Sequence, residues 1–242
     1  MGKPLVVITG ASSGFGREMA YLFSEKGYPL LLLSRRVEVM EKFNLPNTLC
    51  RAVDVADYEA FTQALSEAEA LYGPLDLLIN NAGQMLLQKA WDQDPQEWDQ
   101  MIDVNLKGVL NGSQIALKRM LPRKTGTIIN VSSTAGFNIY QNHAAYSATK
   151  FAVHGLTDTL RMEAAHHNIR VMLLSPGAAE TDLLTHTTDE KIRQSYTKWK
   201  KSLPEGAAMD PYEVAKAALF VYEMPQEICV RELVISSTHQ AN

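Results

Sequence analysis

Thr9-Gly10-Ala11-Ser12-Ser13-Gly14-Phe15-Gly16 follows an apolar run, Leu5-Val6-Val7-Ile8, and opens a segment of helical period from Gly14 to Lys26. Glycines end strands in many folds, so the stretch by itself also fits an ordinary strand-to-helix turn. Between a strand and a helix, however, such a turn is suited to a phosphate. Gly10 permits the sharp turn, Gly14 lets the backbone approach a pyrophosphate, and Gly16 lets helix and strand pack closely. The helix N-terminus adds N–H donors and partial positive charge. Ser12, Ser13 and Phe15 lie among these glycines and join the candidate cofactor site. The spacing is G-x-x-x-G-x-G, not the commoner G-x-G-x-x-G.

Outward from this turn, short apolar runs alternate with longer segments of helical period. The runs are Leu5 to Ile8, Leu30 to Leu33, Thr48 to Val53, Leu75 to Ile79, Gly126 to Val131, Ile169 to Leu174 and Ile228 to Ile235. Between them, Asp57 to Tyr72, Glu97 to Leu121 and Tyr146 to His166 carry an apolar stripe. That alternation predicts an α/β fold: a single-domain, Rossmann-type, doubly wound parallel sheet of about seven strands with helices on both faces. One domain over residues 1–242 is expected. The polar stretch 181–211, with Tyr196, Trp199 and Leu203 among threonines and lysines, breaks the rhythm and is expected to be a substrate-specificity or lid segment.

The second apolar run ends in Ser34-Arg35-Arg36. An NAD-selective site would place a carboxylate here for the ribose 2′-hydroxyl, and none is present. Arg35 can instead pair with a 2′-phosphate, helped by the Ser34 hydroxyl, which favours NADP(H). Arg36 either borders the adenine or faces solvent, and a pair of arginines can also simply begin a solvated helix.

Composition narrows the rest. The 242 residues are 46% hydrophobic and 21% charged, with a formal net charge of −4 and no basic block, so nucleic acid has no electrostatic footprint. No apolar run approaches the ~20 residues of a membrane-spanning helix, and the N-terminal run is too short for a secretory signal. A cytoplasmic location is the expectation. Cys50 and Cys229 support neither a disulfide framework nor a zinc site; they are expected to be buried free thiols, and no metal is expected.

Thr9-Gly10-x-x-x-Gly14-x-Gly16, Asn80-Asn81-Ala82-Gly83 and Tyr146-x-x-x-Lys150 occur in that order. With these three motifs the chain resembles the short-chain dehydrogenase/reductase family from end to end. The resemblance implies a nicotinamide cofactor and a catalytic set of Asn105, Ser133, Tyr146 and Lys150. Ser133 stands thirteen residues before Tyr146, the family's usual interval, which makes Ser132 the weaker candidate. It also implies that Asp54 and Val55 contact the adenine, that Asn81, Ala82 and Gly83 line the adenosine side, and that Pro176, Gly177, Ala179 and Thr181 hold the nicotinamide carboxamide. An aspartate after a strand is also a common helix cap. Within the family, residues 81–87, 182–188 and the C-terminal strand resemble NADP-dependent 3-hydroxy-acid (serine-type) dehydrogenases and the clavaldehyde-reducing branch. Family members commonly pair through two long helices, so a homodimer or homotetramer is expected.

The chemistry suits these side chains. Hydride delivery to a carbonyl leaves an alkoxide that needs a proton, and a tyrosine hydroxyl can give one. Its pKa of about 10 is poorly matched, but a nearby ammonium stabilises the phenolate. Tyr146 and Lys150 are four apart and share a helix face, from which the lysine also reaches the ribose hydroxyls. Ser133 would polarise the substrate oxygen, and Asn105 would steady a water linking Lys150 to solvent. Met85, Leu86 and Leu87 either border the substrate pocket with Tyr140, Leu183 and Trp199 or pack in the core. His143, His154, His166 and His167 are assigned no chemistry; the last two suit a helix C-terminus. The expected activity interconverts a small hydroxy compound and its carbonyl: a 3-hydroxy acid, amino alcohol, aldehyde or ketone. The alternative is an NADPH-binding or redox-sensing module with little turnover.

Overall fold

The seven predicted strands form one sheet, and every neighbouring pair in it is parallel. The computed structural model describes residues 2–202 and 208–240. The strands are β1 (Leu5–Thr9), β2 (Leu30–Ser34), β3 (Thr48–Ala52), β4 (Leu75–Asn80), β5 (Gly126–Val131), β6 (Ile169–Pro176) and β7 (Glu232–Ile235). Their order across the sheet is β3-β2-β1-β4-β5-β6-β7. The order reverses between β1 and β4, and a crevice opens at their C-terminal ends, where open α/β sheets bind ligands.

Helices cover both faces: α1 (Gly14–Glu25), α2 (Val37–Glu41), α3 (Tyr58–Tyr72), α4 (Pro95–Ile102), α5 (Gly108–Met120), α6 (Ala144–Ala164), α7 (Glu190–Ser202) and α8 (Pro211–Glu223). Alternation along β1 divides the core. Val6 and Ile8 pack with Met19 and Phe23 of α1 and with Val214 and Ala218 of α8. Leu5 and Val7 point the other way, against Phe61 and Leu65 of α3 and Ile115 of α5. The apolar residues of β1, and Leu30 to Leu33 of β2, are wholly buried, which explains why these strands read as continuous apolar runs. Each such side chain contributes about 1.5–3 kcal/mol by leaving water. Capping sets several helix starts: Asp57, Asp94 and Asp210 accept backbone N–H bonds, the latter two directly before Pro95 and Pro211.

Several expected boundaries shift. The helix expected from Glu97 to Leu121 is two helices joined by a wider π turn, Asp103–Lys107, with a 3₁₀ turn, Leu121–Arg123, at its end. The last strand begins at Glu232, not Ile228: Ile228 instead bonds back to the Pro225 carbonyl in a turn. Cys50 and Cys229 are half-buried, because Cys50 sits on the edge strand β3 and Cys229 in the loop before β7. Within 181–211 lie a 3₁₀ turn, Asp182–His186, the helix α7 and the first residue of α8. Residues 203–207, including Leu203, lie outside the described residues. Among those described, no helix is long and apolar enough to cross a membrane.

Candidate active site

Thr9 ties the two central strands together where their paths diverge. Its hydroxyl accepts from the backbone N–H groups of Asn81 (2.9 Å) and Ala82 (3.0 Å), and Asn81 Nδ2 donates to the Thr9 carbonyl at 2.9 Å. The glycine turn is thereby pressed against the end of β4. Gly10 has φ +65°, and a Cβ there would lie 2.7 Å from Ala82 Cα. A Cβ on Gly16 would lie 2.5 Å from the Gly10 carbonyl oxygen. These contacts account for both glycines by steric exclusion.

Ser13 is the N-cap of α1, yet its side chain makes no cap bond. Arg36 turns back over the glycine turn instead, and its Nη2 donates to Ser12 Oγ (2.9 Å) and Ser13 Oγ (3.0 Å). Ser34 donates to Ser12 Oγ at 2.8 Å. Two serine hydroxyls thus hold the guanidinium over the turn while the residue stays exposed at the cavity mouth. The first-turn N–H groups of α1 remain without side-chain caps, the arrangement in which a helix N-terminus receives an anion.

Across the crevice, α6 carries Tyr146 and Lys150, both buried. Lys150 Nζ donates to the Val131 carbonyl at 3.0 Å and lies 5.7 Å from the centre of the Tyr146 ring. Burial lowers its pKa to about 8. Tyr146 moves the other way: burial pushes it above the ordinary tyrosine value, opposed by a side-chain hydrogen bond with Ser133 and reinforced by Tyr196. The expected lowering by the Lys150 ammonium is not seen. Desolvation is the largest influence on the ring, and Lys150 is not among the groups that shift it. Ser133 Oγ also accepts from the Ala135 N–H at 3.1 Å, while Ser132 is occupied with the Lys150 carbonyl at 3.3 Å.

Asn105 lies in the π turn and is wholly buried. Its Oδ1 accepts from the Gln84 N–H at 2.7 Å, and its Nδ2 donates to the Gln84 carbonyl (2.9 Å) and Thr149 Oγ1 (3.1 Å). It thus fixes the backbone beside Gly83 and the start of α6 together. A Cβ on Gly83 would lie 3.5 Å from Asn105 Oδ1 and 3.9 Å from Lys150 Nζ, so the glycine leaves the space between those two groups clear.

One cavity of about 1100 Å³ runs along this edge of the sheet. It is lined by every candidate site residue except Gly16, which lies behind the turn, and Asn105, which lies behind Gly83. Asp54 lines it while its carboxylate accepts from the Ala56 N–H in the turn before α3; the cap of that helix is Asp57, not Asp54. At the Tyr146 end the walls are Met85, Leu87, Tyr140, Leu183, Tyr196 and Trp199. Met85, Leu86 and Leu87 are buried in one cluster with Tyr146, so Met85 and Leu87 serve both core and wall. Sequence reasoning gave no role to many of the cavity residues, Gln84, His143 and His186 among them. His143 packs between Tyr140, Tyr146 and Tyr196, its Nδ1 is 2.6 Å from the Gln141 carbonyl, and burial lowers its pKa. Its position three residues before Tyr146 is the only signal the sequence offers for it.

The family model described as short chain dehydrogenase matches residues 4–192. An uncharacterized oxidoreductase of Staphylococcus saprophyticus is 37% identical over 98% of this chain and 97% of its own. Among solved structures, the closed form of serine dehydrogenase complexed with NADP+ superposes with a TM-score of 0.90 at 28% identity, covering 98% of this chain and 96% of that one. The 3-ketoacyl-(acyl-carrier-protein) reductase of Brucella melitensis complexed with NADH gives 0.87 at 30% identity, covering 98% of each chain. The cofactors in those two structures differ.

Proposed function

The chain belongs to the short-chain dehydrogenase/reductase family, an oxidoreductase family, and from that premise we propose that it is an NADP(H)-dependent enzyme interconverting a small carbonyl compound and its alcohol. Tyr146 is the proton donor and acceptor. The observation that carries the reading is the meeting, in one cavity, of an uncapped helix start behind a glycine turn with a buried Tyr146 bonded to Ser133 and close to Lys150.

The residues present fit a nicotinamide dinucleotide. The cavity is long enough to join the glycine turn to Tyr146, and Gly14 holds the turn at φ +53°, a backbone conformation that side chains disfavour. The turn and the N-terminus of α1 would hold the pyrophosphate, Arg35, Arg36 and Ser34 a 2′-phosphate, and Pro176 to Thr181 the nicotinamide end. Bound there, the nicotinamide supplies or accepts the hydride. The Tyr146 hydroxyl delivers its proton to the substrate oxygen as charge builds on it, and Ser133 hydrogen-bonds the same pair of oxygens. Lys150, with a pKa of about 8, returns a proton to the Tyr146 phenolate, and the space at Gly83 between Lys150 and Asn105 is the route by which solvent re-protonates the lysine. A preference for NADP(H) is supported by two guanidiniums, and no carboxylate, in the residues Ser34-Arg35-Arg36 at the end of β2.

NADPH absorbance followed with a panel of aldehydes, ketones and β-keto acids tests the reading. Tyr146→Phe is expected to lower turnover roughly 10³-fold, within the range general acid–base catalysis supplies, with cofactor affinity unchanged. Near-normal turnover in that variant would remove Tyr146 from the chemistry. Tight NADPH binding by the wild type with no oxidation by any substrate would favour the binding-module alternative. A homodimer or homotetramer is proposed on family resemblance, as is the role of 181–211 in substrate selection.

A further inference from the structure

His186 closes the 3₁₀ turn that follows β6, on the opposite wall of the cavity from the end of β2. The chain reaches that point by crossing the glycine turn: the Thr181 side chain lies 3.4 Å from where a Cβ of Gly14 would stand. Arg36, bonded to Ser12 and Ser13 of the same turn, faces it from the other side. Two arginines and a histidine thus face one another across this stretch of the cavity, with Asp182 the carboxylate acting on the histidine.

We infer that His186 is a direct ligand of a cofactor phosphate, supplied by the segment after β6 to complete the anion site begun by Arg35, Arg36 and the glycine turn. The inference rests on the cavity holding a nicotinamide dinucleotide. Two observations besides position support it. His186 Nδ1 is buried with no hydrogen-bond partner, whereas Nε2 is not among the buried unpartnered atoms and the residue lines the cavity. An orphaned buried N–H is costlier than an orphaned acceptor, so the neutral ring keeps its hydrogen on Nε2, on the cavity side, as a donor. The charges around it point the same way. Burial, Arg36 and Arg35 hold the ring below the ordinary histidine pKa, and Asp182 on its own turn is the one carboxylate opposing them. Such surroundings favour an arriving anion and offer it a donor that works without a charge of its own.

Fluorescence titration with NADPH and with NADH, on wild type, His186→Ala and His186→Gln, tests the assignment independently of turnover. His186→Ala is expected to weaken NADPH roughly tenfold, the loss of a hydrogen bond to a charged group. His186→Gln, which keeps a donor, is expected to recover most of it. If NADPH alone is weakened, the ligand is the 2′-phosphate; equal weakening of NADPH and NADH identifies the pyrophosphate, and either result supports the inference. Unchanged affinity for both cofactors in His186→Ala, with a native melting temperature, overturns it. Failure of the wild type to bind either dinucleotide would instead overturn the functional reading beneath it.

Discussion

The glycine turn at residues 9–16 and the segment at residues 181–202 face each other across one cavity but are built on opposite terms. The turn has no slack. Gly10 and Gly16 sit where a single added carbon would meet backbone at 2.7 and 2.5 Å, and Thr9 staples the turn to β4 with bonds of 2.9 and 3.0 Å. The segment opposite is a 3₁₀ turn and a helix whose Ile192, Tyr196 and Trp199 line the cavity together with the charged Arg193, Lys200 and Lys201. Backbone geometry specifies the first region, whereas side chains on a tolerant support specify the second. A cofactor common to a family suits the rigid wall, and a variable substrate suits the adaptable one.

Gly16→Ala is the harshest test of that contrast. The new Cβ would lie 2.5 Å from the Gly10 oxygen and 2.6 Å from Asn81 Nδ2, and neither belongs to a flexible side-chain end that can swing clear, since Asn81 is itself tied to Thr9. The expected loss is about 3 kcal/mol of stability, at the upper end of overpacking costs, with cofactor affinity falling alongside. Chemical denaturation measures it. A loss under about 1 kcal/mol would mean that the turn can move, and the contrast with the opposite wall would fail.

Lys150→Met sharpens the comparison in the other direction, because here function is held at the expense of stability. The lysine keeps its proton to about 10.5 in the unfolded chain but only to about 8 when folded. Between those values the unfolded chain binds more protons, so stability rises with pH across that window. Below about pH 8 the buried ammonium carries the full difference, roughly 3 kcal/mol at 1.36 kcal/mol per unit. Replacement by methionine removes it and forfeits the charge-assisted bond to the Val131 carbonyl, worth about 1.5–3 kcal/mol. The variant is expected to be about 1 kcal/mol more stable at pH 7, to melt a few degrees higher, and to be inactive. Its stability should also lose the rise between pH 8 and 10; above that, Tyr146 with its raised pKa holds its proton in the folded state and turns the slope downward. Melting curves at pH 7 and 9 decide it: a variant no more stable than wild type at pH 7 would refute the buried-charge account.

What the sequence disclosed follows the same division. Strands whose two faces are both buried print themselves as unbroken apolar runs, and β1, β2, β4, β5 and β6 were legible for that reason. The strand β7, with its alternately exposed residues, printed a weaker pattern, and its start was misplaced by four residues. Glycines forced by backbone contact are visible one by one. The π turn that carries Asn105 is invisible, because one extra residue in a helical turn leaves the apolar stripe nearly unchanged. Side-chain direction was equally hidden: nothing in Ser34-Arg35-Arg36 says that the second guanidinium folds back onto Ser12 and Ser13. His186 depends on two loops meeting, a tertiary fact with no local signature.

The mildest substitution tests the adaptable wall directly. Trp199 is 38% exposed and packs edge-on against Tyr196 with ring centres 5.2 Å apart, at the cavity end that holds Tyr146. Its helix rests on one face only, and the neighbouring lysine, Lys200, is anchored by Glu180 and the Ala179 carbonyl, so truncation leaves the support in place. Trp199→Ala is expected to cost about 1 kcal/mol of stability or less, the worth of an aromatic pair at a partly exposed site. Its effect belongs to substrate choice: KM for bulky carbonyl compounds should rise several-fold, kcat for the smallest aldehyde should stay within about twofold, and NADPH affinity should not move. A stability loss above about 3 kcal/mol would make this segment part of the core. The two walls would then differ in composition but not in kind, and substrate preference would have to be sought at Met85, Leu87 and Tyr140 on the other side of the pocket.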